Sequence, residues 1–196
     1  KAMLIDGGIK GEGDNVVAYI RKQGVSELDY VVATHPDADH IGGLIDVLNS
    51  ISIENFIDSG KIHTSQTYEQ MITLIGDKNI SYIVPTIGQQ IALDDELDIT
   101  VLNADESASD NNEASIVLKI SYGDISFLLT GDAGIEMEQQ MMATQNVQAT
   151  ILKAGHHGSN TSSSHAFIEA VSPETTILSY GQDNKYGHPH LEVIES

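Results

Sequence analysis

"YVVATHPDADHIGG" (Tyr30–Gly43) runs from an apolar segment directly into a dense group of potential metal ligands. The segment Tyr30–Thr34 is apolar on both faces, as is typical of a buried strand. Gly42 and Gly43 open a new apolar stretch with a helical pattern and allow its backbone to approach neighbouring chain closely. Between strand and glycines lie the side chains that make this strand end a candidate metal site: His35, Asp37, Asp39 and His40.

The spacing of these side chains suits two cations. His35 and Asp37 are two residues apart in an extended turn that Pro36 stiffens, so their side chains can point the same way. Asp39 and His40 are adjacent at the start of a helix, so they diverge and could serve two centres. Hard or borderline divalent cations accept such a set of imidazoles and carboxylates. Taken singly, Asp39 also fits a plain helix N-cap and His35 a surface histidine, but the combination favours a metal site.

A second strand ends in Gly131 and Asp132, within "FLLTGDA". An aspartate at such a position is common in ordinary turns. A rigid strand end is also what a carboxylate needs if it is to bridge two metal ions. Beside the first group, Asp132 is therefore a candidate ligand.

A third strand ends in "ILKAGHHGSNTSSS", where Gly155 is followed by His156 and His157. One of the two histidines could complete a metal site, and the sequence does not choose between them. The polar side chains that follow are suited, with their backbone N–H groups, to hold an anionic oxygen; they are Ser159, Asn160, Thr161 and Ser162. The alternative, a flexible serine-rich loop with a chance histidine pair, is less expected after a buried strand.

A fourth group, "YGHPH" (Tyr186–His190), lies near the C-terminus. It could supply a phosphate contact or a general acid. A proline turn with exposed histidines explains it equally well.

Composition excludes several classes of function. The chain has 9 Lys and Arg against 29 Asp and Glu, a formal net charge of -20, which argues against a generic DNA coat or a polybasic membrane binder. Cysteine is absent, so disulfides, thiolate zinc sites and cysteine nucleophiles are excluded. No apolar run approaches the roughly 20 residues of a membrane span.

Short strands alternate with amphipathic helices, and "SIVLKISYGDISFLLTGD" predicts a hairpin in the second half of the chain. The 196 residues predict one α/β domain, 1–196, of two mixed sheets flanked by helices. Further strands are expected at Met3–Asp6, Leu97–Asn103, Ala149–Ala154 and Thr175–Gly181, with another ending in "NFIDSG". Helices are expected at Asn15–Gly24, 41–51, 65–79, 134–144 and 164–172. The helix over 65–79 has a core-facing apolar stripe of Tyr68, Met71, Ile72 and Ile75.

The motifs together resemble the metallo-β-lactamase superfamily, and within it the hydrolase domain of ComEC-type competence proteins and their stand-alone relatives. They are "LIDGG", "THPDADHIGG", "FLLTGDA", "LKAGHHGSNTSSS" and "KYGHPH", and they span almost the whole chain. The resemblance implies a four-layer αββα sandwich, here without the strand that usually precedes "LIDGG". Asp37 stands where the superfamily's H-x-H-x-D-H pattern has its second histidine, and this substitution marks the ComEC-type branch.

The resemblance also implies roles for individual residues. Asp132 would bridge two metals, and the remaining ligands would be His35, Asp37, Asp39, His40 and either His156 or His157. The superfamily usually has a further histidine before the hairpin, where this chain offers Asn111 or Asn112 as weak substitutes. Asp39 would orient or deprotonate a water, and His188 would protonate the leaving oxygen. Phosphate contacts would come from Ser159, Asn160, Thr161 and His188.

The expected function is that of a hydrolase of phosphodiester bonds, specifically a nuclease of single-stranded DNA. Its cofactors would be two divalent cations, manganese or zinc, with magnesium as a further candidate. By resemblance it would act on the outer face of a bacterial membrane, as part of or beside a membrane DNA-uptake protein. The alternatives are a small-molecule phosphodiesterase such as a choline-phosphate esterase, an acyl hydrolase, and a degenerate metal-binding module without activity.

Overall fold

The computed structural model describes all residues from Lys1 to Ser196. The chain forms two compact units, Lys1–Pro85 and Thr86–Ser196. That the two make one domain stays a prediction. None of the helices combines the length and the apolar character needed to cross a bilayer.

The first unit contains a parallel four-stranded sheet with the strand order β1-β2-β3-β4. Its strands are β1 (Met3–Ile5), β2 (Glu27–Ala33), β3 (Ser52–Asp58) and β4 (Ser81–Ile83), and its helices are α1 (Gly13–Lys22), α2 (Ala38–Ile41), α3 (Leu44–Ser50) and α4 (Gln66–Asp77). The expectation of two mixed sheets is therefore wrong for this sheet, since its helical crossovers return every strand in the same direction.

The core of the first unit explains why its elements form. Val31 and Phe56 on neighbouring strands are fully buried, and they belong to one apolar cluster with Met71 of α4. Burying each such side chain contributes about 1.5–3 kcal/mol. The stripe predicted on α4 is confirmed for Tyr68, Met71 and Ile75, which are all buried.

The helix predicted over 41–51 is broken into α2 and α3 at Gly42-Gly43. The break lies where the "LIDGG" turn packs against the glycine pair: Gly7 N–H donates to His40 O, and Gly43 N–H donates to Gly8 O at 2.9 Å. A Cβ at Gly43 would overlap the carbonyl oxygen of Gly7. Only glycine permits this approach, and the approach brings the end of β1 to the end of β2.

The second unit contains a five-stranded mixed sheet with the order β5-β6-β7-β8-β9. Its strands are β5 (Leu97–Asn103), β6 (Val117–Tyr122), β7 (Ile125–Leu129), β8 (Ile151–Lys153) and β9 (Thr175–Ile177), and its helices are α5 (Ile135–Thr144), α6 (His165–Val171) and α7 (Leu191–Ile194). The predicted hairpin is present as β6 and β7. Because β7, β8 and β9 are parallel, the polar residues that follow them emerge at one edge of the sheet.

Candidate functional site

The carboxyl ends of β1 and β2 carry the first ligand set, which we define as His35, Asp37, Asp39 and His40. His35 is 0% exposed and His40 is 3% exposed, and their ring centroids lie 4.1 Å apart. Asp37 is half-buried and Asp39 is exposed. The structure therefore places two imidazoles inside the unit and two carboxylates nearer its surface. The ligand atoms of Asp39 and His40 lie within 4.8 Å of each other, so the expected divergence of these two side chains is not seen and they could share one cation.

His35 and Asp37 have the spacing of two ligands of one cation. His35 Nε2 lies 3.7 Å from Asp37 Oδ2, which is too far for a hydrogen bond. Ligand nitrogens and oxygens lie about 2.1 Å from a zinc-like ion, so two ligands of one ion are separated by at most about 4.2 Å. The distance is consistent with the prediction that both side chains point the same way.

Asp6 organises the first ligand set, and this role was not predicted from the sequence. Its backbone is in the left-handed region, with φ 60°. His40 Nδ1 lies 2.7 Å from Asp6 Oδ2, and the Thr34 hydroxyl donates to the same oxygen at 2.8 Å. Thr34 N–H donates to Asp6 Oδ1, also at 2.8 Å. The signal in the sequence was the "LIDGG" motif itself, whose aspartate reads as an ordinary turn residue.

These contacts set the tautomers of both histidines. Burial alone would raise the pKa of Asp6, but the charge and hydrogen bond of His40 and the Thr34 N–H outweigh it and lower the pKa. The ionised carboxylate can only accept, so His40 Nδ1 must donate to it. Because the Thr34 hydroxyl donates its hydrogen to Asp6, it must accept from His35 Nδ1, which lies 3.1 Å away. Each ring is left with its lone pair on Nε2, the arrangement in which metal-binding histidines are usually held.

The second ligand set consists of Asp132, His156 and His157, at the ends of β7 and β8. Asp132 is buried, and its Oδ2 lies 3.4 Å from His157 Nε2 and 3.9 Å from His156 Nε2. Both distances fall within the span of two ligands of one ion. The second unit therefore brings together all three of the residues that the sequence singled out at these two strand ends.

The two histidines of this set differ in how they are held. His157 Nδ1 donates to the carbonyl oxygen of Ser179 at 2.8 Å, which fixes the lone pair on Nε2. His156 Nδ1 lies 3.1 Å from the hydroxyl of Thr161, which can donate or accept. Of the two, His157 has the shorter distance to Asp132 and the defined tautomer.

Hydrogen bonds to backbone carbonyls connect the turn that carries Asp132 with the turn that carries His156 and His157, which is called the histidine turn below. The Thr130 hydroxyl donates to Lys153 O at 2.7 Å, and Lys153 Nζ donates to the carbonyls of Gly131 and Ala154 at 3.2 Å each. His156 N–H donates to Gly131 O at 3.2 Å. The Asp132 carboxylate and the imidazoles of His156 and His157 therefore lie at one edge of the sheet, on turns that are hydrogen-bonded to each other.

The histidine turn is strained. His156 (φ 46°) and His157 (φ 56°) are consecutive residues in the left-handed region, and Ser163 (φ 52°) is a third. Such conformations cost about 1–3 kcal/mol each and persist where the surroundings hold them. No pattern in the sequence predicts this turn, because positive φ is uncommon for residues other than glycine.

The predicted phosphate-contacting residues lie on the loop after the histidines, but their groups are not equally accessible. Ser159 is buried, and its hydroxyl lies 2.9 Å from that of Thr161. The backbone N–H of Asn160 is occupied, since it donates to His190 Nδ1 at 3.0 Å. Thr161 and the side chain of Asn160 are exposed. Thr161 is the best placed of the three to meet a ligand.

His188 lies among other histidines on the same unit. Its ring centroid is 5.6 Å from that of His156 and 6.4 Å from that of His157, and it stacks on Tyr186. Partial burial and the neighbouring imidazoles lower the pKa of His188 below its usual value. The predicted roles of His188, as a general acid and as a phosphate contact, stay predictions.

Asn111 and Asn112, the predicted weak ligands, are half-buried in the turn between β5 and β6. Nearby, the Ser115 hydroxyl accepts from Asp132 N–H at 3.0 Å. The turn thus lies beside the second ligand set, and ligation by either asparagine stays a prediction.

The donors of both sets fit divalent cations. They combine carboxylate oxygens with imidazole nitrogens, which are ligands that zinc, manganese and iron share. In His35, His40 and His157 the lone pair is on Nε2.

Comparison with known proteins identifies the fold. A family model described as the metallo-β-lactamase superfamily matches residues 1–182. A solved metallo-β-lactamase variant from Cronobacter sakazakii, a HARLDQ-motif mutant, aligns with a TM-score of 0.52 and 15% identity over 76% of this chain and 66% of that chain. The predicted α/β metallo-β-lactamase fold, with two sheets flanked by helices, is confirmed.

Curated relatives are similar at the level of sequence. ComE operon protein 3 of Bacillus subtilis (strain 168) is 32% identical over 92% of this chain and 23% of its own length. Competence protein ComA of Neisseria gonorrhoeae is 33% identical over 99% of this chain and 26% of its own length. The chain thus spans about a quarter of the length of these relatives. The resemblance to ComEC-type competence proteins is confirmed by this similarity. It belongs to the metallo-β-lactamase superfamily.

Proposed function

We propose that this chain hydrolyses phosphodiester bonds with two divalent cations and that its substrate is single-stranded DNA. The superfamily consists generally of metal-dependent hydrolases, and the curated relative from Neisseria gonorrhoeae is named competence protein ComA. The observation that carries the proposal is the oriented donor set: His35, His40 and His157 each have Nδ1 in a hydrogen bond that places the ring's lone pair on Nε2.

Both ligand sets take part in the proposal. The first would contribute His35, Asp37, Asp39 and His40, and the second Asp132 and His157. Bound divalent cations would lower the pKa of water and stabilise negative charge on phosphoryl oxygens. Asp37 in place of an imidazole makes the donors richer in oxygen, which favours manganese or magnesium over zinc.

The chain's own residues would do the rest. Asp39, exposed at the start of α2, would orient a water and accept its proton. The Thr161 hydroxyl, the Asn160 amide and the His188 ring would hold the phosphate. Ser159 would support Thr161 through their hydroxyl contact. By analogy with the competence proteins, we further propose that the chain acts on the outer face of a bacterial membrane.

A small-molecule phosphodiesterase is the second candidate, and the charge favours it. With 9 Lys and Arg in a chain of net charge -20, few cations are available to follow a DNA backbone. An acyl hydrolase is less favoured because of Asp37.

A substrate panel tests the proposal. We expect the manganese-loaded protein to cleave single-stranded DNA and a chromogenic phosphodiester, and to leave a β-lactam intact. Cleavage of the chromogenic phosphodiester alone would select the small-molecule enzyme. Turnover of the β-lactam would contradict the proposal, and binding of metal without any turnover would indicate a degenerate module.

A further inference from the structure

Glu138 is a buried acidic residue that the proposed mechanism does not use. It lies on α5 and is 1% exposed, whereas Glu136 on the same helix is exposed. A charged side chain is rarely buried unless it is paired or fully hydrogen-bonded. A buried carboxylate at this position needs hydrogen-bond donors, and they are provided by residues that follow β8 in the chain.

The Glu138 carboxylate bridges two consecutive backbone N–H groups. Ser163 N–H donates to Oε1, and Ser164 N–H donates to Oε2 at 3.0 Å. Burial raises the pKa of Glu138, and the Ser164 hydroxyl together with these two N–H donors opposes that rise by favouring the ionised form. Each carboxylate oxygen therefore accepts a hydrogen bond from a different backbone N–H group.

The same serines hold the residue before the histidines. Gly155 N–H donates to the Ser163 hydroxyl at 2.9 Å, and the Ser162 hydroxyl donates to Gly155 O at 2.8 Å. Both polar backbone groups of Gly155 are thus tied to the serine segment. The connection runs from Glu138 through Ser163 to Gly155, which directly precedes His156 and His157.

This connection spans the strained part of the loop. Ser163, at the Glu138 end, and His156 and His157, at the other end, are the left-handed residues described above. A left-handed serine or histidine relaxes unless contacts from outside the turn hold it. The buried carboxylate of α5 supplies such contacts at Ser163 and Ser164.

We propose that Glu138 is a positioning residue that fixes the loop 155–164 and, through it, the orientation of His157 and Thr161. Its effect on turnover rests on the function proposed above; its effect on the loop does not. Two acceptors are needed, which a carboxylate provides and an amide does not. Glutamine has nearly the same volume, but its NH₂ group would face one of the two N–H donors.

The test compares Glu138→Gln with Glu136→Gln, a matched control on the exposed face of α5. Hydrogen–deuterium exchange of the metal-free proteins is the primary readout, and the Kd for manganese and the turnover of a chromogenic phosphodiester are the others. For Glu138→Gln we expect exchange over 155–164 to rise about tenfold. We expect manganese Kd to rise and kcat/KM to fall about 5- to 10-fold, less than the 10–100-fold that a direct partner of a ligand costs.

Several results would overturn the proposal. One is a Glu138→Gln loop protected as in the unaltered protein; another is exchange that rises across the whole second unit with a lower unfolding midpoint, which would mark a purely structural role. If Glu138→Gln does not fold, Ser163→Gly provides the second variant, since it suits the left-handed backbone but removes the hydroxyl that holds Gly155. Unchanged exchange at 155–157 in that variant would also overturn it. Absence of turnover in the unaltered protein would refute the proposed function, while exchange and Kd would still decide the role of Glu138.

Discussion

Asp132→Ala is expected to reduce turnover of a phosphodiester by more than about 100-fold. Residues that only support a metal ligand already cost about 10–100-fold in affinity or activity when they are changed, and Asp132 is proposed to be a ligand itself. Its carboxylate is the acidic group within 4 Å of both His156 Nε2 and His157 Nε2. Its removal leaves these imidazoles without that oxygen donor.

The matched control is Asp124→Ala. Asp124 is exposed at the turn of the β6–β7 hairpin, at the opposite end of β7 from Asp132. It should keep full turnover, and circular dichroism with the unfolding midpoint would verify that both variants fold. Equal activity of Asp132→Ala and the unaltered protein would remove Asp132 from the mechanism.

Asp6→Asn is expected to weaken metal binding about 10–100-fold, as for other partners of metal-bound histidines. Asparagine tolerates the left-handed backbone at this position, so the turn should survive. Its carbonyl oxygen can still accept from Thr34 N–H. Its NH₂ group would face His40 Nδ1, which must then accept, and the proton moves to Nε2. The substitution therefore reverses the tautomer that metal binding requires.

The measurement is the Kd for manganese and for zinc, by competition with a fluorescent chelator. Asp29→Asn is the control in the same unit, because Asp29 also accepts a backbone N–H, that of Ala2, but contacts none of the first ligand set. We expect Asp29→Asn to bind metal normally. Unchanged affinity in Asp6→Asn would show that the His40 tautomer does not depend on Asp6.

Periodicity and turn chemistry predicted most of the elements. β5 was expected at Leu97–Asn103 and is found there, because strongly patterned residues bounded by polar turns leave little choice. β4 was missed: Ser81–Ile83 is short, and Ser81 and Tyr82 are exposed, so no alternation marks it. The break at Gly42-Gly43 was missed because it depends on contact with Gly7 and Gly8, more than thirty positions earlier in the chain.

The candidate metal ligands could be predicted from the sequence, whereas the residues that hold them in place could not. Histidines and aspartates clustered at strand ends are visible in sequence because the residue types carry the chemistry. Asp6 and Glu138 are not, since an aspartate in a turn and a glutamate on a helix are ordinary until the fold places His40 or Ser163 against them. The left-handed conformation of His156 and His157 could not be predicted from the sequence either. It depends on contacts with distant residues: His156 N–H donates to Gly131 O, and Gly155 N–H donates to the Ser163 hydroxyl.

The most direct test of the central claim is the rate of chromogenic phosphodiester hydrolysis before and after metal is removed by a chelator and restored. If bound divalent cations carry the reaction, hydrolysis is lost on removal of the metal and returns with manganese, and it returns more weakly with zinc. Metal-dependent hydrolysis would be contradicted if the protein still hydrolysed the substrate after its metal had been removed and the removal verified. It would also be contradicted if manganese, magnesium and zinc all failed to restore hydrolysis.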